Sequence, residues 1–109
     1  MTRPALGQFE HLVLLAILRL GDAAYAPAIL EELECRTGRP ASPGSMYVTL
    51  DRLESKGLLR SRLADATDER GGRQRRYVTV TAAGMRELRA SRAALLALWR
   101  GLEGRLEHS

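Results

Sequence analysis

The hydrophobic positions of this chain change their spacing twice, and these changes separate helical segments from a pair of strands. Residues 5–20 carry an apolar stripe at helical spacing with further leucines beside it, which predicts a first helix that is apolar on most sides. Gly21 is typical of the residue that ends such a helix. Helical spacing returns over 25–36, with Pro27 in the first turn, where its missing N–H costs nothing. The chain therefore begins with two helices.

A third helix is predicted over 42–56. Ser42 fits the N-cap and Pro43 the first helical position, while Gly57 fits the C-terminal stop. One side of this helix is apolar at helical spacing, through Met46, Leu50 and Leu53. The opposite side carries small or hydrogen-bonding groups, so we expect the helix to pack on a core with one side only.

The spacing changes to alternation after the third helix. Residues 58–63 and 76–80 each alternate as strands do, and the polar segment between them predicts a hairpin. Thr81 then caps a final helix that is predicted to continue to about Leu106. Apolar residues recur in sevens along this helix, which is typical of a seam between packed helices, at Met85, Leu88, Leu95, Trp99, Leu102 and Leu106.

Three helices, a two-stranded wing and a long helix are the order of a winged helix-turn-helix, a mostly α fold with a β-wing. We expect 1–81 to form the DNA-binding domain and 82–109 the dimerisation helix, packed together as one compact unit. The apolar first helix and the seam on the last helix both require a partner, and the simplest one is a second copy. The residues assigned to this dimer contact, or to an effector beside it, are Phe9, Leu12, Leu88, Leu95, Trp99, Leu102 and Leu106.

Composition narrows the class of protein only moderately. A chain of 109 residues, 45% of them hydrophobic, is long enough for one modest core. A single cysteine excludes an internal disulfide, and no apolar run is long enough for a membrane span, so we expect a cytoplasmic protein without membrane contact. The net charge of +4 favours polyanionic partners weakly, because many basic domains bind none.

An enzyme has little support in the sequence. His11 and His108 do not have the spacing of metal ligands, and Cys35, which we expect to be an inert core residue, has no partner histidine at a recognisable distance. No phosphate-binding loop, dinucleotide fingerprint or metal motif is present. Glu10 and Glu54, like the other carboxylates, are expected to be solvated. We therefore assign no catalytic residue, no metal ligand and no cofactor.

The third helix carries the groups that duplex DNA requires. Backbone N–H groups at its start suit phosphate oxygens, a guanidinium suits a guanine edge or a phosphate, and a valine suits a thymine methyl. The residues assigned to DNA on this helix are Ser42, Gly44, Ser45, Tyr47, Val48 and Arg52. Each has a plainer interpretation by itself, such as a helix start, a solvated charge or, for Tyr47, a half-buried edge of the core. Only the joint pattern favours DNA.

The predicted wing adds an arginine cluster next to a Gly-Gly pair. Arg73, Arg75 and Arg76, with Arg70 close by, suit a narrow minor groove or the phosphates beside it. The plainer interpretation is a charged hairpin that keeps an exposed edge strand from pairing with other chains. Another alternative is a winged helix that binds an acidic protein surface instead of DNA. Taken with the third helix, the wing makes double-stranded DNA the favoured partner.

These segments also carry a family resemblance. "GSMYVTLDRLESKGLL" at 44–59, followed by "GGRQRRYVTVTAAG" at 71–84, resembles the PadR family of transcriptional regulators. The family pattern has Gly-Ser-Leu-Tyr at the start of the recognition helix, where Met46 replaces the leucine here, then a Gly-Arg wing. The pair Thr81 and Gly84 matches the Thr-x-x-Gly that follows the wing. The single short C-terminal helix is similar to that of the smaller PadR subtype.

The resemblance implies a homodimeric repressor that places two recognition helices in successive major grooves of a pseudo-palindromic operator, about 34 Å apart. It also implies that Tyr47 and the wing contact DNA. Some relatives bind flat aromatic compounds between the subunits through a tryptophan of the last helix. Trp99 lies about one turn later than that position, so dimer packing is the favoured interpretation of Trp99 and contact with a hydrophobic effector is the alternative.

Overall fold

The computed structural model describes residues 6–64 and 74–107, with side chains as far as Arg105. In chain order the elements are α1 (Gln8–Leu20), a 3-10 turn (Gly21–Ala23), α2 (Ala26–Thr37), α3 (Pro43–Ser55), β1 (Leu59–Ala64), β2 (Arg75–Val80), α4 (Ala82–Trp99) and α5 (Glu103–Glu107). The predicted order of helices and strands is confirmed as far as α4, with boundaries that differ by a few residues. None of the described helices is long and apolar enough to cross a membrane.

The hydrophobic core lies between the first three helices, the inner face of the hairpin and the start of α4. Its members are all less than a tenth exposed: Val13, Leu14, Ala16, Ile17, Ala24, Ala26, Ile29, Leu33, Met46, Leu50, Leu53, Leu58, Leu59, Val78 and Leu88. The predicted inner stripe of α3, at Met46, Leu50 and Leu53, is confirmed, and Thr49 is buried beside it. Burial of this stripe fixes which side of α3 faces the surroundings.

The hairpin is antiparallel, with a register that runs from Leu59 opposite Val80 to Ala64 opposite Arg75. The segment before α2 lies along the free edge of β2, where the Val78 N–H donates to the Ala24 carbonyl at 2.9 Å. Cross-strand partners point to the same side of a sheet, so the two strands present one inner face to the helices and one outer face. Residues 65–73, which include nearly all of the turn predicted between the two strands, lie outside the described residues.

The junction between the wing and α4 is tightly built. Thr81 Oγ1 donates to the Gly57 carbonyl at 2.7 Å and accepts from the Gly84 N–H at 3.1 Å, which confirms Thr81 as the N-cap. A Cβ atom on Gly84 would clash with the Leu58 carbonyl oxygen and would lie 2.7 Å from Val80 Cγ1. Glycine is therefore required where α4 crosses the end of the hairpin.

The prediction of one continuous helix to about Leu106 is wrong. The helix α4 ends at Trp99, the chain turns at Gly101 with a φ of 86°, and α5 begins at Glu103. A residue with this positive φ cannot continue a right-handed helix, and glycine adopts it at little cost. The sevenfold pattern predicted from Met85 onwards is thus interrupted before Leu102.

The predicted dimer seam also requires a correction at its start. Leu88 is only 5% exposed and belongs to the core of its own chain, because the first turns of α4 pack on α1 and β2. Phe9 and Leu12 are partly buried against the same core. The part of α4 beyond Leu88 is largely exposed, so the part left for a partner is shorter than the sequence indicates.

Candidate nucleic-acid interface

The outward side of α3 is exposed in the way that contact with a groove requires. Tyr47 and Val48 are 50% and 56% exposed, and Arg52 is also exposed. The sequence offered two interpretations of Tyr47, a DNA contact and a half-buried edge of the core. In the structure its side chain is half covered and lies outside the core cluster, so half of it remains accessible. The phenol of Tyr47, the isopropyl group of Val48 and the guanidinium of Arg52 are thus all accessible on the surface of a single helix.

The first turn of α3 is organised by its two serines. Ser42 Oγ accepts the Ser45 N–H at 3.1 Å, which confirms Ser42 as the N-cap, and it donates to Ser45 Oγ at 2.9 Å. Pro43 occupies the first turn, and Gly44 has open space around the position where a Cβ would be. The positive end of the helix dipole and two hydroxyl groups therefore meet at an exposed surface, which suits an anionic oxygen.

A charged cluster joins the wing to α3. Arg76 donates to Asp51 Oδ1 at 2.9 Å and to Glu54 Oε1 at 2.6 Å, and the Ser61 hydroxyl lies 2.8–2.9 Å from both oxygens of Glu54. Hydrogen bonds from Arg76 and Ser61 lower the pKa of Glu54 below its ordinary value. Arg76, which was predicted to contact DNA, is thus held by two carboxylates. Sequence reasoning missed these ion pairs because β1 and the turn of the hairpin separate Arg76 from Asp51 and Glu54 along the chain.

The remaining wing arginines are only partly described. Arg75 is exposed, and its guanidinium carbon lies 5.1 Å from the centre of the Tyr25 ring. Arg73 and Arg70, with the Gly-Gly pair between them, lie outside the described residues. The two described members of the predicted arginine cluster therefore differ, since Arg75 lies against an aromatic ring and Arg76 against carboxylates.

The far end of α3 is anchored to α1 by a buried carboxylate, contrary to the expectation that Glu10 is solvated. Glu10 is 6% exposed, accepts the Gly7 N–H at 2.9 Å and pairs with Lys56 Nζ at 3.0 Å. Burial opposes ionisation of this carboxyl group, but the hydrogen bonds from Gly7 and Lys56, with the charge of Arg52, outweigh burial and lower the pKa of Glu10. A partly buried ion pair thus connects α1 to the C-cap of α3.

The second half of α4 and the turn that follows it carry an exposed apolar surface. Leu95, Trp99 and Leu102 are 50%, 45% and 41% exposed, as the seam prediction requires. Leu96 and Leu98, at 48% and 75%, were not predicted, because they fall outside the sevenfold pattern. The side chain of Leu106 lies outside the described part. Two leucines of α1 add to the exposed apolar area of the chain, Leu15 and Leu18.

A groove separates α1 from α4 beside this surface. Its lining includes His11, Leu12, Leu15, Leu95 and Trp99. His11 Nδ1 lies 2.7 Å from Ser91 Oγ, a hydrogen bond that joins the two helices across the groove floor, and burial lowers the pKa of His11. The other predicted residue of this region, Phe9, lines a neighbouring depression together with Leu12.

The described residues offer no cluster for chemistry of another kind. Within 6–64 and 74–107, no three histidine, cysteine or acidic side chains are grouped so that they could hold a metal ion. Cys35 is exposed on α2, so the expectation that it is a core residue is wrong.

The fold and this surface together define a winged helix-turn-helix, with α2 and α3 as the helix-turn-helix pair and the hairpin as the wing, which confirms the predicted fold class. The chain belongs to the PadR-like family of transcriptional regulators, whose family model matches residues 14–90. The resemblance drawn from the recognition helix and wing is thereby confirmed. This family is one of regulators and not of enzymes.

Individual relatives agree with this assignment. The chain is similar to the transcriptional regulator Rv3488 of Mycobacterium tuberculosis, with 42% identity over 76 residues, which cover 68% of this chain and 65% of that protein, just under two thirds of its length. A PadR family regulator from Eggerthella lenta shares 32% identity and a TM-score of 0.69, over 90% of this chain and 83% of that one. A PadR family regulator from Clostridium difficile, at 24% identity, has a TM-score of 0.73 over 90% and 98% of the two chains, a likeness of fold.

Proposed function

We propose that this protein is a sequence-specific regulator that binds double-stranded DNA as a homodimer and represses transcription by occupying a promoter. The observation that carries the proposal is the outward side of α3, where Tyr47, Val48 and Arg52 are all exposed beside a serine-capped helix start. Membership of a family of transcriptional regulators supports the same conclusion.

In this proposal α3 enters the major groove. Val48 and Arg52 lie one turn apart on the helix, so both can reach base edges, the valine at a thymine methyl and the arginine at a guanine. The Ser45 and Tyr47 hydroxyls are then placed to donate to phosphate oxygens, with Gly44 allowing the backbone to come close. Ser42, which caps the helix and donates to Ser45 Oγ, orients the Ser45 hydroxyl for this contact. In this arrangement the phosphate contacts position the protein on the duplex, and the base contacts read the sequence.

The wing contributes in two ways. Arg75, with Arg73 beyond the described strand, supplies cations for the backbone or the minor groove. Arg76 holds the wing against α3 through Asp51 and Glu54, so we assign it mainly to the position of the wing. The ion pairs of Arg76 also reduce the negative charge that the two carboxylates would otherwise present to DNA.

The proposed division of labour is that 1–81 bind DNA and 82–109 hold two copies together. Leu95, Leu98, Trp99 and Leu102 are between 41% and 75% exposed along the end of the chain. A contiguous apolar surface of this kind is costly in water and is typical of a protein interface. A twofold axis through these helices would present two recognition helices to one pseudo-palindromic duplex.

We further propose that a flat hydrophobic effector, acting in the cytoplasm, binds in the groove beside Trp99 and releases the repressor from DNA. The groove is lined by leucines and by the half-exposed indole, which suits a planar aromatic compound. Trp99 is the single tryptophan of the chain, so its fluorescence should respond to such a compound. An unchanged spectrum across a panel of planar aromatic compounds would count against this site.

The decisive experiment on DNA binding compares Arg52→Ala with the unaltered protein on two duplexes. One duplex comes from sites mapped by sequencing the genomic DNA that the purified protein retains, and the other has a scrambled sequence. If Arg52 reads a base, its loss should cost about 1–3 kcal/mol on the mapped site and relax the preference at one position. Arg89→Ala, which removes an exposed arginine of α4, is the matched control for charge.

Two outcomes would contradict parts of this proposal. Equal weakening on both duplexes would make Arg52 a phosphate contact. Absence of binding to any duplex at low as well as high salt would instead favour a winged helix that binds protein, and would refute the proposed function.

A further inference from the structure

The outer face of the hairpin carries a group of stacked side chains, of which the proposed function uses only Arg75. The Arg62 guanidinium carbon lies 4.7 Å from the centre of the Tyr77 ring, and that of Arg75 lies 5.1 Å from the Tyr25 ring. The two rings are themselves 5.6 Å apart and inclined at 43°. We call Arg62, Tyr77, Tyr25 and Arg75 the outer stack.

The strand register explains why these residues meet. Arg62 is paired with Tyr77 across the hairpin, and Arg75 lies two residues before Tyr77, so all three side chains point to the same side. Tyr25 comes from the N-cap of α2, and the hydrogen bond between Val78 and Ala24 brings that segment against the outer edge of the sheet. The outer stack therefore joins the wing to the start of α2.

Stacking leaves the hydrogen-bonding edge of the Arg62 guanidinium accessible. An arginine on an aromatic ring uses the flat face of its guanidinium, while its N–H groups lie at the edge and remain able to donate to phosphate. Arg62 is exposed, and within the described part of the chain it also forms a long hydrogen bond of 3.4 Å to the Asp22 carbonyl. Among the described residues no carboxylate forms an ion pair with Arg62, in contrast to Arg76 with its two.

We propose that the outer stack is a second phosphate-binding site, which grips the sugar–phosphate backbone of duplex DNA beside the groove that α3 enters. This inference rests on the proposed function. In helix-turn-helix complexes the first helix of the pair crosses the backbone, and the outer stack lies at the start of that helix and at the base of the wing. The rings of Tyr77 and Tyr25 hold the two guanidinium groups close to each other despite their mutual repulsion. The site is therefore preorganised before DNA binds.

The test measures affinity against salt concentration for Arg62→Ala on the mapped and scrambled duplexes. We expect about a threefold to tenfold loss of affinity on both duplexes and a salt slope smaller by about one, because one phosphate contact disappears. Tyr77→Leu keeps every charge but removes a ring, and we expect it to weaken binding to both duplexes with little change of slope. Urea unfolding confirms that each variant is folded, and Tyr25→Leu replaces Tyr77→Leu if the latter does not fold.

The outcomes separate this proposal from the one on which it rests. Arg89→Ala should leave binding close to that of the unaltered protein, which shows that the effect of Arg62 is not one of total charge. If the unaltered protein binds DNA and responds to Arg52→Ala, but Arg62→Ala leaves affinity and slope unchanged, the outer stack only stabilises the hairpin. If ring removal has no effect while Arg62→Ala does, the phosphate contact does not depend on stacking and the site as proposed is wrong.

Discussion

Removing Lys56 should destabilise the fold more than removing an arginine from a shorter ion pair on the surface. In the variant Lys56→Met the apolar stem is retained, but the carboxylate of Glu10 loses the ammonium group that lies 3.0 Å away. Glu10 has only 7% of its side chain exposed and Lys56 has 29%. Glu10 would then be a buried anion whose remaining described hydrogen bond comes from Gly7.

The size of the effect follows from this partial burial. Removal of one partner from a fully buried pair costs about 3–5 kcal/mol, and an exposed pair contributes about 0.2–1 kcal/mol. Since water can reach the Lys56 side of the pair, we expect a loss of about 1–3 kcal/mol. The matched control is Arg36→Met, because Arg36 pairs with Glu32 at 2.8 Å but is 59% exposed. That pair is shorter, yet its loss should cost only about 0.3–0.5 kcal/mol.

The assay is urea unfolding at equal protein concentrations, since association makes the midpoint depend on concentration. The pKa of Glu10 is lowered in the folded state. Its contribution is therefore complete above the unfolded pKa of about 4.3 and is lost as the pH falls through the lower folded value. The difference between the unaltered protein and Lys56→Met should be largest near pH 7 and should narrow as the pH falls, because protonation of Glu10 removes both the attraction in the unaltered protein and the unpaired charge in the variant.

A double-mutant cycle with Glu10→Gln gives the result that could refute this reasoning. If the two residues act through one ion pair, the double variant should be more stable than the sum of the single effects predicts, by about 1 kcal/mol or more. Additive losses would show that the pair contributes nothing and that Glu10 is stabilised by its other contacts. A difference that stays unchanged in acid would lead to the same conclusion.

Two further predictions concern α4 and the turn that follows it. Gly84→Ala should destabilise the protein by about 1–3 kcal/mol in urea unfolding, because the new methyl group clashes with the Leu58 carbonyl. Gly44→Ala is the control and should not destabilise the protein, because a methyl group there has open space around it. Equal losses of stability in the two variants would contradict the close contact between α4 and Leu58. Replacing Leu95 and Leu102 with glutamate should produce monomers in analytical ultracentrifugation, with Arg89→Glu as the control for charge, and a well-folded dimer with both glutamates would refute the proposed interface.

The parts of this protein that local sequence could determine are those whose physical cause is local. The cap of α3 depends on a serine hydroxyl and an N–H three residues away, and the inner stripe of α3 depends only on helical spacing. The change to alternation after Gly57 likewise indicates strands without reference to the rest of the chain. Fold class and the exposed side of α3 were predictable for these reasons, although the use of that side for DNA stays a prediction.

The features that only the tertiary structure decided are those in which the partner is distant in sequence. Glu10 is 46 residues from Lys56 and Arg76 is 22 from Glu54, so spacing along the chain gives no sign that these charges meet. Leu88 fits a sevenfold seam in sequence, but the packing of α4 on α1 and β2 buries it in its own chain. Periodicity identifies an apolar face, whereas burial depends on what three-dimensional packing places against that face.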